Sequence, residues 1–336
     1  MTRASAVVVA YRAGEGLGRL LDSLAGQEGL HEVVIVDNGG GGPEIDEARG
    51  REGVRVVDAG GNVGFATGCN LGAQAAEGEV LVFLNPDTVA APGAVAQLTR
   101  TLEDPAIGVA MARLRLLDRP ELLNSSGSEV HLTGISWAGG YGEPAESVTE
   151  LRDVAAPSGA AMAIRAETFR ELGCFTDELF MYQEDLVLGW KARLAGLRVV
   201  IDPAADVYHD YEYGRNVDKQ HLLERNRLFF VLSCYSLRLL LLLGPVLFTA
   251  EVGMAGLAAR ERWFRGKAGG WAWCVGNAGW LIRERRRTQR LRRVPDRELA
   301  ASLTPVLRPG MIPVPAPVRA ANPLVAAYWG LVRRAL

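Results

Sequence analysis

The feature that most constrains the fold is the alternation of short β-rich runs with helical patterns between Ala6 and Ile201. Strands separated by helices are typical of an α/β fold with a mainly parallel sheet, whose ligands bind beyond the carboxyl ends of the strands. Apolar runs predict strands at Ala6–Val9, Val33–Val36, Val54–Val57, Val80–Leu84, near Val109, Ala160–Ile164 and Val199–Ile201. Apolar residues at helical spacing predict helices at Leu17–Gln27, Ala66–Ala76, Pro92–Leu102, Ala166–Leu172 and Glu184–Ala195.

The composition narrows the class of protein. With 336 residues, 49% hydrophobic and 23% charged, the chain is too apolar for a disordered protein and long enough for one large domain with an appendage, or for two. The four cysteines are widely spaced, which argues against a disulfide scaffold or a zinc module. The first residues lack a secretory signal pattern, so we expect a cytosolic protein.

Charge is distributed unevenly along the chain. The total is only −2, yet residues 252–300 hold 12 Lys and Arg against 4 Asp and Glu, and residues 301–336 hold four Arg and no acid. The rest of the chain is therefore strongly acidic. A basic tail is typical of binding to nucleic acid or to an anionic membrane surface.

The tail is also apolar, which favours the membrane surface over nucleic acid. Leu228–Ala250 is almost wholly apolar, but Arg238 and the Gly244-Pro245 pair interrupt it, which makes a membrane-spanning helix doubtful. Five of the seven tryptophans follow residue 260, interleaved with arginines, and this mixture is typical of the headgroup boundary. We therefore expect helices that lie in the interface. The alternative is a helical subdomain with a solvated basic face.

Two carboxylates end predicted strands. Asp87 follows Asn85 and Pro86 at the end of one strand, where it could hold a divalent cation, although an Asx turn or a helix cap explains it equally well. Asp37 ends another strand and could accept hydrogen bonds from a nucleotide base or ribose, or simply belong to the turn. The loop at residues 60–72 is rich in glycine and offers backbone N–H groups to a phosphate.

A second group of polar residues lies later in the chain. Glu184 and Asp185 open a predicted helix, where one of them could act as a general base, although a favourable interaction with the helix dipole explains both. His209 follows the last strand and could face a metal or a diphosphate. Trp137 and Tyr141 lie in the Gly- and Ser-rich segment Asn124–Glu143, which we expect to be an excursion outside the packed core. Their rings suit stacking on a ligand as well as surface packing.

Together these blocks resemble the family 2 glycosyltransferases with the GT-A fold, in particular the rhamnosyltransferase- and galactofuranosyltransferase-like branch. The resemblance covers about Ala6 to Arg227. It rests on the blocks VVVAYR, LDSLAGQ, VVIVDNG, GNVGFATGCNLG, VLVFLNPDT, PSGAAMAIRAETFRELGCF and FMYQEDLVLGWKARLAG, and on the His209 segment with the LLERNRLFF that follows it.

The resemblance implies a role for each matching residue. It makes Asp185 the catalytic base and places Asp87 and His209 at an Mg²⁺ or Mn²⁺ ion. The donor-binding residues would be Asp37, Asn62, Gly64, Phe65, Asn70 and Asn85. The candidates on the acceptor side are Trp137, Tyr141, Glu184 and Trp190.

The sequence departs from the family pattern at three positions. Asn85 replaces the first acid of the D-x-D motif, Val187 stands where a second Asp is usual after Glu184-Asp185, and Thr176 replaces another Asp. The proposed base is unaffected, but acceptor recognition becomes uncertain.

The resemblance implies a mixed, Rossmann-like GT-A sheet flanked by helices in residues 1–227. Residues 228–336 would form a mainly α-helical region that associates with the membrane. We expect inverting transfer of a sugar from a nucleotide-diphosphate sugar to a hydroxyl of a polyprenyl-linked saccharide, in cell-envelope polysaccharide synthesis. The enzyme would be peripheral on the inner face of the cell membrane and would not bind nucleic acid. The alternatives are a sugar-phosphate nucleotidyltransferase and a non-catalytic scaffold.

Overall fold

The computed structural model describes residues 2–210, 219–310 and 314–336. They form two compact units. The sheet unit contains residues 2–128, 138–192 and 197–210, and the helical unit contains residues 129–137, 193–196, 219–310 and 314–336. The division into a catalytic domain at residues 1–227 and a membrane-associating region at residues 228–336 stays a prediction.

The elements follow the predicted alternation. The strands are β1 (Ala4–Ala10), β2 (Leu30–Asp37), β3 (Val54–Asp58), β4 (Val80–Leu84), β5 (Thr88–Ala90), β6 (Ile107–Leu116), β7 (Leu123–Ser125), β8 (Ser128–His131), β9 (Ser136–Ala138), β10 (Arg152–Asp153), β11 (Ala161–Arg165), β12 (Arg198–His209) and β13 (Leu303–Thr304). The helices are α1 (Glu15–Leu24), α2 (Pro43–Arg49), α3 (Gly64–Ala75), α4 (Ala94–Thr101), α5 (Ala166–Glu171), α6 (Glu184–Leu194), α7 (Lys219–Cys234), α8 (Leu237–Arg260), α9 (Phe264–Gly276), α10 (Ala278–Arg290), α11 (Asp296–Ala300) and α12 (Ala316–Ala335).

The sheet unit is built on one mixed sheet in the order β10-β12-β6-β11-β4-β1-β2-β3, with β5 paired to β12 and β7 to β6. Strands β1 to β4 are mutually parallel, and β11 lies antiparallel between β4 and β6. Every residue of β1 and β4 is buried, as expected for strands covered by helices on both faces. The predicted α/β sheet flanked by helices is confirmed.

Close packing of helices on this sheet depends on small residues. A Cβ on Gly72 of α3 would lie 2.4 Å from Val7 Cγ1, and one on Gly68 would lie 2.8 Å from Val9 Cγ1. Because no side chain fits there, α3 can approach β1 closely. The first residues of α3 therefore lie just beyond the carboxyl ends of β1 and β2.

The segment Asn124–Glu143 was expected to lie outside the core, and this expectation is wrong. It contains β8 and β9, and Asn124, Val130 and Leu132 are buried. The segment has no continuous hydrophobic run, and strand pairing holds it in place instead. Strand β8 pairs with β13 in a three-stranded sheet that also contains β9.

A buried cluster of charges lies in the helical unit. Lys267 of α9 is fully buried, and its Nζ donates to Glu224 Oε2 at 2.6 Å and to Glu251 Oε2 at 2.8 Å. The guanidinium of Arg227 bonds to the same two carboxylates and to the carbonyl of Thr133, at 2.9 Å. Two cations and two anions thus neutralise one another where α7, α8 and α9 meet.

The predicted interruption at Gly244-Pro245 is also wrong, because α8 continues through it to Arg260. Proline removes one backbone donor, a loss that a helix packed against α9 and α12 tolerates. Ser236 caps the helix by accepting from Leu239 N at 2.9 Å, so Arg238 lies in the first turn and not near the middle of the apolar stretch. Within the described parts of the chain, α8 alone has the length and apolar character to cross a bilayer, a test that core helices of soluble proteins also pass.

We predict that Lys267→Met destabilises the protein by about 3–5 kcal/mol, because the substitution leaves two buried carboxylates with one cation. The matched control is Arg287→Met, which removes a cation with 74% of its side chain exposed beside Glu284 and should cost less than about 1 kcal/mol. Urea denaturation followed by tryptophan fluorescence measures both variants, because six of the seven tryptophans lie in the helical unit. Equal effects of the two substitutions would contradict the role of the cluster.

Candidate active site

Asp87 lies in a tight turn that directly follows β4. The carbonyl of Asn85 accepts from the backbone N–H and the hydroxyl of Thr88, at 3.2 and 2.7 Å. The first turn of α1 packs against this turn: a Cβ on Gly16 would lie 3.0 Å from the Pro86 carbonyl and 3.3 Å from Asp87 Cα. The backbone of Asp87 is therefore held from two sides.

Strand pairing brings His209 to Asp87. The short strand β5 that begins at Thr88 pairs antiparallel with the end of β12, where His209 is opposite Thr88, and Asp210 N donates to the Asp87 carbonyl at 2.9 Å. His209 Nε2 lies 3.2 Å from Asp87 Oδ1. That carboxylate oxygen is buried and has no hydrogen-bond partner, so the contact lacks hydrogen-bond geometry.

Asn124 explains the orientation of the imidazole. Its Oδ1 lies 3.0 Å from His209 Nδ1 in a buried position, so Nδ1 is the nitrogen that carries the proton in the neutral ring. The lone pair of Nε2 then faces the Asp87 carboxylate. An imidazole nitrogen and an unpartnered carboxylate oxygen 3.2 Å apart fit shared coordination of a divalent cation.

Asp87 and His209 are the two ligands identified at that position among the described residues. No group of three or more His, Cys, Asp or Glu that could hold a metal exists within residues 2–210, 219–310 and 314–336. Magnesium sites with one or two protein ligands are completed by water and substrate phosphates. The residues therefore fit a cation that is bound together with a phosphorylated substrate.

The loops after β2 and β3 form a second part of the site. Asp37 is buried at the end of β2, and its Oδ1 accepts from the backbone N–H groups of Gly39, Gly40 and Gly41 at 3.1–3.2 Å. These bonds fix the orientation of the carboxylate, and its other oxygen, Oδ2, takes no part in them. Gly40 and Gly41 have φ of 85° and 90°, which residues with a side chain rarely adopt.

Asn38, which the sequence analysis missed, ties this loop to the start of α3. Its Oδ1 accepts from Val63 N at 2.8 Å, and its Nδ2 donates to Asn62 Oδ1 at 3.3 Å. Asn62 Oδ1 also accepts from Gly64 N at 3.1 Å. The predicted donor-binding residues Asn62 and Gly64 thus belong to one hydrogen-bonded turn, next to Asp37.

Gly64 lies directly against the segment that precedes Glu184. A Cβ on Gly64 would approach the Phe180 carbonyl oxygen to 2.4 Å, and Ala66 N donates to that oxygen at 3.1 Å. Phe180 has φ 64° and ψ −62°, and Met181 N donates to the Leu179 carbonyl at 2.7 Å, which defines a γ-turn. Tyr182 and Gln183 also have positive φ. Three of the four residues from Phe180 to Gln183 thus have a positive φ, and backbone strain of this kind is often found at functional sites.

Asp185 is held at the start of α6 by backbone donors. Its Oδ2 accepts from Gly159 N at 2.8 Å and its Oδ1 from Leu186 N at 2.7 Å. Burial raises its pKa, and these hydrogen bonds oppose the rise by favouring the charged form. Gly159 also lies beside Phe65: a Cβ there would be 3.5 Å from both Asp185 Oδ2 and Phe65 Cε1.

Glu184 has the opposite environment. Its Oε2 is buried with no hydrogen-bond partner, and burial together with the neighbouring charge of Asp185 raises its pKa to about 8. Burial and Glu184 both raise the pKa of Cys69 on α3. At neutral pH, Glu184 is therefore a protonated acid, whereas the backbone hydrogen bonds to Asp185 favour its charged form.

Asp185 and Asp87 adjoin the same short loop. Gly159 N bonds to Asp185, and the carbonyl of the next residue, Ala160, accepts from Asn85 N at 3.0 Å. The two acids that the sequence analysis singled out thus lie at the same edge of the sheet. Their roles, and those of the other predicted residues, stay predictions.

The remaining candidates differ in position. Asn70 uses its amide to bond Phe175 and Asp177, at 2.8–3.1 Å, so it anchors α3 to a neighbouring loop. Tyr141 is partly exposed in the sheet unit, whereas Trp137 belongs to the helical unit. Trp190 is fully buried and offers no face to an acceptor. The proposed function therefore gives it no role in acceptor binding.

The structure accommodates two of the departures from the family pattern. Val187 is buried in α6, where an apolar side chain packs without the cost of burying a further carboxylate. Thr176 is buried too, and its hydroxyl accepts from Lys191 Nζ at 3.3 Å.

Comparison with known proteins agrees with this geometry. The family model described as "Glycosyl transferase family 2" matches residues 5–173. The N-acetylglucosaminyl-diphospho-decaprenol L-rhamnosyltransferase of Mycobacterium tuberculosis is 27% identical over 253 residues, which are 67% of this chain and 82% of that protein. The low-salt glycan biosynthesis hexosyltransferase of Haloferax volcanii is 23% identical, over 61% of this chain and 66% of that protein.

Solved structures show the same fold. GalNAc-T7 with UDP, GalNAc and Mn²⁺ superposes with a TM-score of 0.58 at 20% identity, covering 69% of this chain and 48% of that one. The mannosyltransferase PcManGT from Pyrobaculum calidifontis, in complex with GDP-Man and Mn²⁺, has a TM-score of 0.50 at 16% identity, covering 99% and 86%. This chain therefore spans about half of the GalNAc-T7 chain. Because the family model covers half of the sequence and the sheet has the expected mixed architecture, the protein belongs to glycosyl transferase family 2.

Proposed function

We propose that the protein transfers a sugar, with inversion, from a nucleotide-diphosphate sugar to a hydroxyl of a lipid-linked saccharide. The observation that carries this proposal is the environment of Asp185. Its carboxyl group accepts from two backbone N–H groups beside a protonated Glu184, and it lies against the Gly159 loop next to Phe65. A fixed carboxylate of raised pKa at the edge of a nucleotide-binding sheet suits a general base.

In this reaction Asp185 accepts the proton of the acceptor hydroxyl while the hydroxyl oxygen attacks the anomeric carbon and the bond to the diphosphate breaks. A single displacement inverts the anomeric centre and needs no second catalytic carboxylate as nucleophile. Asp37 orients the nucleotide at the end of β2, and the backbone around Asn62 and Gly64 borders the diphosphate.

Asp87 and His209 would hold Mg²⁺ or Mn²⁺, which when bound supplies positive charge to the leaving diphosphate. The unpartnered buried Oδ1 of Asp87 supports this assignment. So do two neighbours of the same fold, whose structures contain Mn²⁺. Asn124 contributes indirectly, because its carbonyl oxygen keeps the His209 proton on Nδ1.

The acceptor class is proposed from the relatives. The Mycobacterium tuberculosis rhamnosyltransferase that this chain resembles acts, by its name, on a decaprenol-linked N-acetylglucosaminyl diphosphate. We propose a polyprenyl-linked saccharide as the acceptor here, in cell-envelope polysaccharide synthesis. We propose that the enzyme works on this acceptor as a peripheral protein at the cytoplasmic face of the cell membrane.

We predict that Asp185→Asn lowers the turnover number by about 10²–10⁴-fold, the usual contribution of a general base, while donor binding persists. The matched control is Glu184→Gln on the same helical turn. It should retain activity near neutral pH because Glu184 is already uncharged there. Release of nucleoside diphosphate from a panel of nucleotide sugars measures turnover, and thermal stabilisation by the same sugars measures binding. Near-normal turnover of Asp185→Asn would refute its role as base.

Glu184 also predicts a pH dependence of stability. Its pKa is about 8 in the folded protein against 4.5 for the free group, so between these values the unfolded chain loses the proton and the folded chain keeps it. Stability therefore falls as pH rises through this window. The advantage of Glu184→Gln over wild type should grow from pH 5 to pH 8, as measured by urea denaturation. A difference that is constant with pH would contradict the assignment of Glu184 as the protonated acid.

We predict that Asn124→Leu weakens Mn²⁺ binding by about 10–100-fold, the usual effect of removing the partner of a ligating histidine. Without the acceptor, the proton can move to Nε2 and bond to Asp87, which removes the lone pair from the cation. Asn124→Asp keeps an acceptor and should keep Mn²⁺ binding. Electron paramagnetic resonance of free Mn²⁺, with UDP or GDP present, measures both variants. Wild-type affinity in Asn124→Leu would show that Asn124 does not position His209.

A further inference from the structure

Helix α8 of the helical unit carries an exposed apolar stripe. Leu237, Leu241, Phe248 and Val252 are 65%, 71%, 71% and 57% exposed. At about 100° per residue, these four positions fall within about 60° of one another around the helix axis. Isolated exposed leucines are ordinary in soluble proteins, but a continuous exposed stripe of large apolar side chains marks an interaction surface.

Helix α12 extends this stripe sideways. Tyr328 Oη donates to the Leu242 carbonyl at 2.5 Å, and the Arg238 guanidinium donates to the Ala335 carbonyl. The two helices therefore pack side by side with opposite directions. On α12, Leu324 and Leu331 are 76% and 61% exposed. We call these residues of α8 and α12 the apolar face.

The charges around the apolar face are mostly positive, although the exposed Glu261 directly follows α8. Glu251 is the only acid between Leu237 and Arg260, and it is turned inward to bond Lys267 and Trp271. Helix α12 contains no acid. Exposed arginines end both helices, at Arg260 on α8 and at Arg333 and Arg334 on α12. An apolar stripe bordered by arginines is complementary to an anionic lipid headgroup layer over hydrocarbon.

We propose that the apolar face binds an anionic bilayer, with α8 and α12 lying in the plane of one leaflet. This goes beyond the proposed reaction by naming the lipid partner and the residues that enter it, and it does not depend on which sugar is transferred. The packed side of α8 argues against a crossing orientation, because Leu239 and Leu243, which lie away from the stripe, are buried and Glu251 belongs to the neutralised charge cluster. A spanning α8 would have to break that cluster.

Charge also argues against a second copy of the chain as the occupant. Two apolar faces placed against each other would bring together Arg260, Arg333 and Arg334 of both copies, three cations on each copy against the single neighbouring acid Glu261. Like charges at an interface oppose association. A lipid layer with anionic headgroups has no such conflict.

The test is flotation of the full-length protein with vesicles of equal parts phosphatidylcholine and phosphatidylglycerol. The triple variant Leu241→Gln, Phe248→Gln and Leu324→Gln should lose about tenfold in partitioning for each side chain, as expected for the transfer of a Leu or Phe side chain out of water. Leu151→Gln removes an exposed leucine of the sheet unit and should float like wild type. Absence of wild-type flotation, or unchanged flotation of the triple variant, would overturn the proposal.

A second pair of variants tests the charges. Arg260→Glu with Arg334→Glu should weaken binding to these vesicles and leave the weaker binding to pure phosphatidylcholine unchanged. Arg49→Glu with Arg119→Glu makes the same charge change on the sheet unit and should have no effect. Equal losses in both pairs would refute a specific face. Sedimentation equilibrium measures the oligomeric state of both proteins. If wild type is a dimer and the triple variant is a monomer, the apolar face binds a second copy of the chain and the bilayer proposal is wrong.

Transfer to a water-soluble acceptor saccharide, measured without vesicles, separates this proposal from the proposed function. The triple variant should keep wild-type transfer and an unchanged circular dichroism spectrum. Failure of wild type to transfer sugar would refute the function and leave the flotation result standing. Normal transfer without flotation would refute the lipid face alone.

Discussion

The arrangement of the active site depends on one strand that runs against its neighbours. Because β11 is antiparallel to β4, the loop that precedes β11 lies beyond the carboxyl end of β4, where the Asp87 turn begins. Ala160 in this loop holds Asn85 and Gly159 holds Asp185. A parallel strand in this place would send that loop to the opposite edge of the sheet, and the two acids would have no common neighbour.

Strain in the segment from Phe180 to Gln183 links the two halves of the site. Positive φ angles at residues with side chains cost of order 1–3 kcal/mol each and persist only where surrounding contacts fix them. Here the Phe180 carbonyl accepts from Ala66 N, and the Phe180 ring lies against Gly64. The start of α3, which borders the predicted donor site, therefore constrains the segment that delivers Asp185.

Much of this arrangement was predictable from local patterns. Valine-rich runs identified the strands, and polar residues at strand ends identified Asp37, Asp87 and His209. Asn38, Asn124 and Gly159 were missed because each acts through a partner distant in sequence: Asn124 is 85 residues from His209, and Gly159 is 26 from Asp185. Local patterns also failed at Pro245, where packing against neighbouring helices keeps α8 continuous.

The protein holds carboxylates in its interior in two different ways. One arrangement contributes to stability, and the other suits the proposed reaction. In the helical unit, Glu224 and Glu251 are neutralised by Lys267 and Arg227, and these cations lower the pKa of Glu251. At the start of α6, Glu184 and Asp185 are buried together, and Asp185 accepts from the backbone N–H groups of Gly159 and Leu186. A salt bridge to Asp185 would favour its charged form and so lower its basicity. Burial raises both pKa values, and a raised pKa is the property that a general base requires.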